Sequence, residues 1–199
     1  MFVPHLKPSS TEEVPKDILD RFDHYKKTRG FTPNSIKTMV RRPNIVRAFM
    51  ELNQAVLYEG TVSEELKMLV SLIASQVAGC RYCQAHMANL SKIYKASETK
   101  ISEVWNFKES KLFSESEKAA LDLALHGAMS PSQTEQKHFD ELGKYFNDAE
   151  IVEIIATISL FGFLNRWNDS MATEIEELPE IVAQATIGDS FGWEPGKHK

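Results

Sequence analysis

The two cysteines of this chain lie three residues apart, and a histidine follows three residues after the second. The stretch GCRYCQAHM, residues 79–87, holds Cys80, Cys83 and His86. Residues at this spacing on a helix have Cβ atoms about 5–6 Å apart, whereas a disulfide needs about 3.5–4.5 Å. The first turn of a helix can accommodate the difference, and Gly79 is suited to the break before it. The spacing therefore favours a dithiol that closes and reopens.

A helix that begins near Cys80 would also tune the reactivity of the pair. The free N–H groups and the positive dipole end of a helix N-terminus stabilise a thiolate, so we expect a lowered cysteine pKa. His86 lies one further turn along, on the same side as Cys83. It is placed to take a proton from Cys83 or to give one to a leaving group.

Other interpretations of these residues remain open. Each cysteine alone could be a small buried hydrophobe. A zinc site would need about four ligands, and the sequence holds no second Cys/His cluster; His126 is interpreted as a core histidine. Covalent haem attachment is not matched, because Gln84 follows the second cysteine. We therefore predict a redox dithiol, with no metal and no cofactor.

Composition limits the classes of protein. The chain has 199 residues, a net charge of −5 and scattered basic residues, which argues against nucleic acid and membrane surfaces as partners. No apolar run approaches a membrane span, and the N-terminus MFVPHLKPSS lacks the apolar core of a signal peptide. We predict a cytoplasmic protein of one domain, or of two small fused ones.

The apolar residues repeat at helical spacing, and no segment alternates with a period of two, so the chain is predicted to be all-α. Thr61 and Glu64 fit a capping box before an unusually apolar helix, which is expected to be central and buried. The last stretch, GDSFGWEPGKHK, is predicted to be an irregular tail. Helices are predicted over residues 15–28, 43–57, 64–78, about 80–94, 97–105, 115–129, 135–146 and 149–176.

An internal similarity suggests a duplication. A shift of 85 residues places ELKMLVSLIASQVAGCRY, residues 65–82, over EIVEIIATISLFGFLNRW, residues 150–167. Any two amphipathic helices share an apolar stripe, but the preserved order of helix, loop, apolar helix and polar break favours a true repeat. Cys80 and Cys83 then correspond to Asn165 and Asn168, so only the first copy keeps its thiols.

The stretch LKMLVSLIASQVAGCRYCQAH, residues 66–86, resembles the carboxymuconolactone decarboxylase superfamily, and more narrowly its alkylhydroperoxidase D-like, peroxidase-related branch. SLFGFLNRWND, residues 159–169, is similar to the second-copy helix of that branch. The resemblance covers about residues 30–178. It implies an all-α bundle of two degenerate repeats, usually oligomeric, and thiol-dependent reduction of peroxides in which two cysteines cycle through a disulfide.

The implied organisation has three parts. Residues 1–30 form an N-terminal arm with a short helix, and residues 31–178 form the alkylhydroperoxidase D-like domain. Repeat one spans about residues 43–95 and repeat two about 135–176. Residues 179–199 form a C-terminal tail.

Two departures from the family pattern bear on mechanism. In alkylhydroperoxidase D the histidine follows the second cysteine by four residues, where this chain has Met87, so its role passes to His86. The family also places a proton-relay glutamate twelve residues before the first cysteine, where this chain has Met68. The shift of 85 pairs Met68 with Glu153, which is interpreted as an exposed helix residue.

The resemblance implies a weak peroxidase with Cys80, Cys83 and His86 as catalytic residues, a hydroperoxide substrate and an external dithiol reductant. Cys83 is the expected nucleophile, although a lower pKa at Cys80 would reverse the order. Two alternatives stay open: a non-catalytic dithiol sensor or binding module, and a decarboxylase-like lyase with Arg166 as an anion contact. Apolar helices in so short a chain favour a homo-oligomer. Three residues are candidates for its surface, although core packing explains them equally well: Phe161, Phe163 and Trp167.

Overall fold

The fold is entirely helical over the part of the chain that the structure describes. A computed structural model describes residues 3–10 and 14–199, and within these ranges it contains α-helices and two short 3₁₀ segments but no strand. The all-α prediction is confirmed. The predicted N-terminal arm includes residues 1–2 and 11–13, which lie outside the described residues. The helices are α1 (Lys16–Arg29), α2 (Asn34–Met39), α3 (Pro43–Tyr58), α4 (Glu64–Ala78), α5 (Arg81–Ile93), α6 (Glu98–Ser102), α7 (Glu115–Gly127), α8 (Gln136–Leu142), α9 (Asp148–Met171) and α10 (Glu177–Phe191).

Helix α4 is the centre of the molecule, as its apolar sequence predicts. Every side chain from Leu66 to Ser75 is buried, and the helix packs against α5, α7 and α9. Leu69, Leu72 and Ile73 are fully enclosed. Burial on all sides fixes the position of α4, and therefore of the turn at its C-terminal end, where the cysteines begin.

The turn between α4 and α5 is set by a glycine. Gly79 has φ 72°, a left-handed conformation that favours glycine, and its N–H donates to the Gln76 carbonyl. The N–H of Cys80 donates to the Ser75 carbonyl, which completes a Schellman motif. Cys80 is then extended and caps α5, so the predicted break at Gly79 is confirmed.

The predicted capping box at the start of α4 is wrong. The N-cap is Ser63, whose side chain accepts a hydrogen bond from the Leu66 N–H. Thr61 instead donates its hydroxyl to Glu150, at the start of α9. A contact with a distant helix, which local spacing does not reveal, determines the role of this threonine.

The C-terminal third differs most from the sequence-based helices. The helix predicted over 149–176 ends at Met171, because Ala172 adopts a left-handed conformation with φ 47°. A further helix, α10, follows and includes the first residues of the predicted irregular tail. Trp193 and His198, beyond α10, are each only 1% exposed, so this end of the chain packs into the fold.

A buried lysine joins α4 to α9. Lys67 is 1% exposed, and its Nζ lies 2.8 Å from the Glu153 carboxylate and 2.5 Å from the Glu59 carbonyl. Glu153 also accepts the backbone N–H groups of Thr61 and Val62. Burial opposes ionisation of Glu153, but Lys67 and these N–H groups lower its pKa overall. The prediction that Glu153 is an exposed helix residue is wrong, because it pairs with this buried lysine.

None of the helices within residues 3–10 and 14–199 is both long enough and apolar enough to cross a bilayer.

Candidate active site

The two cysteines lie at the start of α5 with free thiols. Cys80 is the N-cap residue of α5, and Cys83 lies in its first turn, as the sequence predicts. Cys80 is 0% exposed and Cys83 is 2% exposed. Cys80 lies close enough to Cys83 to affect the pKa of the Cys83 thiol, which it raises. The two cysteines are therefore buried. They also lie close to each other, as disulfide formation requires.

One of the two thiols faces a small cavity. Cys83 and His86 both line a cavity of about 40 Å³, whereas Cys80 is not part of its wall. The other wall residues are mostly apolar or aromatic, and nearly all come from α1, α2, α3, α5 and α9; examples are Phe49, Leu57 and Phe161. A molecule in this cavity would meet Cys83 first.

The ionisation of Cys83 differs from the sequence-based expectation. Burial raises the pKa of Cys83 well above the usual thiol value, and the neighbouring Cys80 raises it further, against a smaller opposite effect of Asn168. The predicted lowering of the thiol pKa at the helix N-terminus is therefore wrong for Cys83. Its position on the helix is as predicted, but desolvation outweighs the benefit of the helix dipole.

This raised pKa predicts the pH profile of Cys83 modification. In a Cys80→Ser variant, we expect the rate of iodoacetamide alkylation to climb to its half-maximum only above the usual thiol pKa of about 8.5. The thiolate is the reacting form, and a raised pKa shifts its appearance to higher pH. Rates would be followed by mass spectrometry across the pH range. The same variant unfolded in denaturant is the control, and coincident profiles for the folded and unfolded chains would contradict the prediction.

His86 is held by a carboxylate that the sequence analysis missed. The Nε2 atom of His86 lies 2.7 Å from Oε2 of Glu176, the N-cap residue of α10. A carboxylate that accepts this bond places a proton on Nε2 and leaves the lone pair of the neutral ring on Nδ1. Burial acts to raise the pKa of Glu176, but His86 and the Asn34 N–H lower it overall, so the carboxylate is ionised.

Tyr82 contacts both members of the His86–Glu176 pair. Its ring stacks on the His86 ring at 4.2 Å between centroids, and its hydroxyl donates to Glu176 over 3.3 Å. The same hydroxyl accepts the N–H of Ser35 in α2. Burial and the nearby Glu176 raise the Tyr82 pKa well above its usual value, so the phenol keeps its proton. His86 is thereby fixed both in its ring plane and at one nitrogen.

Asn168 contacts the thiol directly. Its Nδ2 donates to Sγ of Cys83 over 3.4 Å, and both residues line the cavity. A donor at this sulfur stabilises the thiolate, so Asn168 acts to lower the Cys83 pKa, against the larger effects of burial and Cys80. The shift of 85 residues that pairs the two predicted repeats pairs Cys83 with Asn168, so the sequence did carry a signal for this contact.

Three other residues singled out by the sequence differ in where they lie. Arg166 is exposed and lines a separate surface cavity, away from Cys83. Phe161 is a core residue in the wall of the thiol cavity, so of its two interpretations core packing is the one that holds. Phe163, by contrast, is 44% exposed and stacks on Phe49.

A second cavity adjoins the first. It has a volume of about 540 Å³, and Tyr25, Arg29 and Asn53 belong to the walls of both. The Arg29 guanidinium lies 4.6 Å from the centre of the Tyr25 ring and donates to the Tyr58 hydroxyl. These shared side chains lie between the larger cavity and the one that Cys83 lines.

The protein is a helical bundle with two neighbouring thiols at the start of one helix. Known proteins resemble it in sequence and in fold. Residues 43–126 match the model of the carboxymuconolactone decarboxylase family. The chain is 31% identical to the debrominase Bmp8, with a TM-score of 0.84, and the match covers 91% of this chain and 97% of that one. The chain belongs to the carboxymuconolactone decarboxylase family.

Two more distant structures share the fold. An uncharacterised peroxidase-related protein with an alkylhydroperoxidase AhpD core, from Ralstonia eutropha JMP134, is 20% identical with a TM-score of 0.77, covering 92% of this chain and 97% of its own. A peroxidase-related protein from Silicibacter sp. TM1040 is 18% identical with the same TM-score, covering 87% and 92%. No curated protein sequence matches the chain. The family resemblance inferred from residues 66–86 is confirmed.

Proposed function

We propose that this protein is a dithiol-dependent reductase that reduces organic hydroperoxides by oxidising Cys80 and Cys83 to a disulfide. One observation carries the proposal: the free Cys83 thiol lies close to Cys80 and in the wall of a cavity that His86 also lines. A thiol that only filled space in the core would need neither a cavity in front of it nor a histidine–carboxylate pair beside it.

The reaction balances with these groups. The Cys83 thiolate attacks the outer oxygen of the hydroperoxide, the O–O bond breaks, and Cys83 becomes a sulfenic acid while the alkoxide takes a proton and leaves as an alcohol. The Cys80 thiol then attacks the sulfenic sulfur, which releases water and forms the disulfide. An external dithiol restores both thiols by exchange.

His86 and Glu176 support the proton steps. Because the pKa of Cys83 is raised, few molecules carry the thiolate at neutral pH, and a nearby base must take the proton as the reaction begins. The lone pair on Nδ1 of His86 can accept it while Glu176 stabilises the imidazolium that forms. The same proton can then pass to the departing alkoxide.

The cavity indicates which peroxides suit the site. Its aromatic and aliphatic wall favours an organic group over the strongly hydrated hydrogen peroxide. Its volume of about 40 Å³ accommodates the reacting peroxide group, while the organic part would extend past Arg29 toward the larger cavity. Arg29 and Tyr25 would then have to move apart on binding.

A second candidate activity is reductive dehalogenation of an aromatic compound. The relative at 31% identity is a debrominase, and a cysteine-to-alanine variant of that protein has been solved in complex with 2,3,4-tribromopyrrole. Aromatic side chains of Tyr25, Phe49 and Phe161 in the cavity wall suit a flat aromatic ring. The balance is equally simple: a carbon–bromine bond becomes a carbon–hydrogen bond, two thiols become a disulfide, and hydrogen bromide is released.

One assay tests the proposal and separates the candidates. The reduced protein would be given dithiothreitol with cumene hydroperoxide, hydrogen peroxide or 2,3,4-tribromopyrrole, and alcohol, peroxide loss and bromide would be measured. We expect sustained turnover of cumene hydroperoxide, slower loss of hydrogen peroxide, and neither in the Cys80→Ser/Cys83→Ser double variant. Bromide release without peroxide turnover would favour the second candidate. A disulfide that forms once with no turnover of any substrate would refute the proposal and identify a sensor.

A further inference from the structure

A second cluster of reactive side chains lies between α7 and α8, and it contains none of the residues of the thiol site. Asp122 and His126 are one turn apart on α7, and His138 comes from the facing helix α8. One donor atom from each residue can be chosen so that all three lie within 4.8 Å of one another. The two imidazole rings are 4.5 Å apart between centroids. Two histidines and a carboxylate form a donor set typical of zinc and similar divalent ions.

The protonation of His126 suits metal binding. Its Nδ1 lies 2.8 Å from the backbone carbonyl of Asp122. A carbonyl can only accept, so Nδ1 carries the proton and Nε2 carries the lone pair of the neutral ring. Histidines that ligate metals usually donate their second ring N–H in this way, to a carbonyl or a carboxylate.

His138 provides an independent sign of a ligand. It is 4% exposed, and its Nε2 has no hydrogen-bond partner although it points toward Asp122, whose Oδ2 lies 3.7 Å away. Buried polar atoms are rarely left unpaired, and a histidine nitrogen in this position lacks only an acceptor or a metal. In this structure Nδ1 of His138 accepts the backbone N–H of Glu135 at 2.8 Å, so the ring proton lies on Nε2. Metal binding at Nε2 requires that proton to move to Nδ1, where it would bond to the Glu135 carbonyl, now 3.2 Å away, in place of the N–H contact.

One cation already competes for the aspartate. The Nζ of Lys108 lies 2.6 Å from Oδ1 of Asp122, but its side chain is 55% exposed and can swing into solvent. The other charged side chains that face the site carry both signs. By themselves they neither favour nor prevent cation binding. They are Glu115, Lys118, Lys137 and Glu141, in the wall of a surface cavity that includes Asp122 and His138.

We propose that Asp122, His126 and His138 bind one divalent transition-metal ion, with zinc as the probe, and that a water molecule fills the remaining position. Zinc bonds of about 2.0–2.1 Å place tetrahedral ligands about 3.4 Å apart, so the three donors must draw together slightly from their present separation. The ion would tie α8 to α7. This proposal differs from the sequence-based expectation of no metal, because its third ligand lies on a different helix.

The test is metal titration of the full-length, reduced, EDTA-treated protein. We expect calorimetry to show one Zn²⁺ per chain. Co²⁺ should give a nitrogen–oxygen spectrum without thiolate charge-transfer absorption, which separates this site from Cys80 and Cys83. His126→Gln should weaken binding at least about tenfold, as the loss of even supporting groups does at metal sites. Lys108→Gln should tighten it by up to about fivefold, because an exposed competing ion pair is removed.

His24→Gln serves as the matched control, because His24 is exposed on α1, and it should leave the affinity unchanged. The proposal is overturned if Zn²⁺ does not bind saturably, if His126→Gln binds as tightly as the wild type, or if Co²⁺ shows a thiolate band. Peroxide turnover does not enter this experiment, so its outcome is independent of the function proposed for the thiols.

Discussion

Cys83→Ser is expected to lower turnover of the best substrate by at least about a thousandfold, in line with the loss of a nucleophile in other enzymes. The reason is the position of its sulfur, which lines the cavity while Cys80 lies behind it. Serine at Cys83 would keep the shape of the wall but offer an alcohol, which hardly ionises. Steady-state consumption of substrate with excess dithiol measures the effect.

The Cys80→Ser variant tests whether Cys80 is the cysteine that closes the disulfide. It should permit one round of oxidation and then stop, because Cys83 can still form a sulfenic acid but no partner thiol remains to close the disulfide. A sulfenic-acid reagent should label Cys83 in this variant, as peptide mass spectrometry would show. If Cys80→Ser instead abolished the first oxidation while Cys83→Ser retained it, the order of the two cysteines would be reversed.

Glu176→Ala is expected to cost about 3 kcal/mol of folding free energy, near the upper end for leaving buried hydrogen-bonding groups without a partner. The change removes the acceptor for three groups: His86, the Tyr82 hydroxyl and the Asn34 N–H. Glu176→Gln keeps the shape but offers an N–H group where His86 needs an acceptor. We therefore expect turnover of Glu176→Gln to fall by about a hundredfold, the lower end for an acid–base group.

The pH dependence of stability gives a second readout for Glu176. Its pKa is lowered in the folded protein, so its contribution is fully present above the pKa of the unfolded chain and is lost as pH falls through the folded value. Urea unfolding at pH 7 and near pH 3 should show a smaller acid-induced loss in Glu176→Gln than in the wild type. Glu174→Gln, which changes an exposed carboxyl two residues away, is the control. Equal acid sensitivity in both variants would contradict the assignment.

The comparison with the sequence shows which interactions local spacing reveals. Apolar periodicity gave the bounds of α4 correctly, and Gly79 marked the turn that begins α5. These features depend on neighbours within a few residues. The carboxylate that holds His86 lies 90 residues further along the chain, in an acidic stretch with no distinguishing pattern, so Glu176 could not be found in this way.

The same limit explains the wrong pKa direction for Cys83. Helix position is a local property, but burial depends on α1, α3 and α9 packing over the thiol, which only the folded chain shows. Asn168 is the instructive exception. It was singled out only as the counterpart of Cys83 under a shift of 85 residues, and it donates a hydrogen bond to that sulfur. The repeat itself, the oligomer and the physiological reductant stay predictions.

The depth of the thiols constrains how electrons can be supplied. With Cys80 fully enclosed and Cys83 reached through a cavity of about 40 Å³, a folded thioredoxin-sized partner has no surface from which to attack the disulfide. Either a low-molecular-weight thiol diffuses in and regenerates the pair, or the helices around α5 must part in each cycle to expose it. If the rate of thiol regeneration falls as the donor becomes larger, the donor diffuses in through a narrow opening. If the rate does not depend on donor size, the helices around α5 part in each cycle.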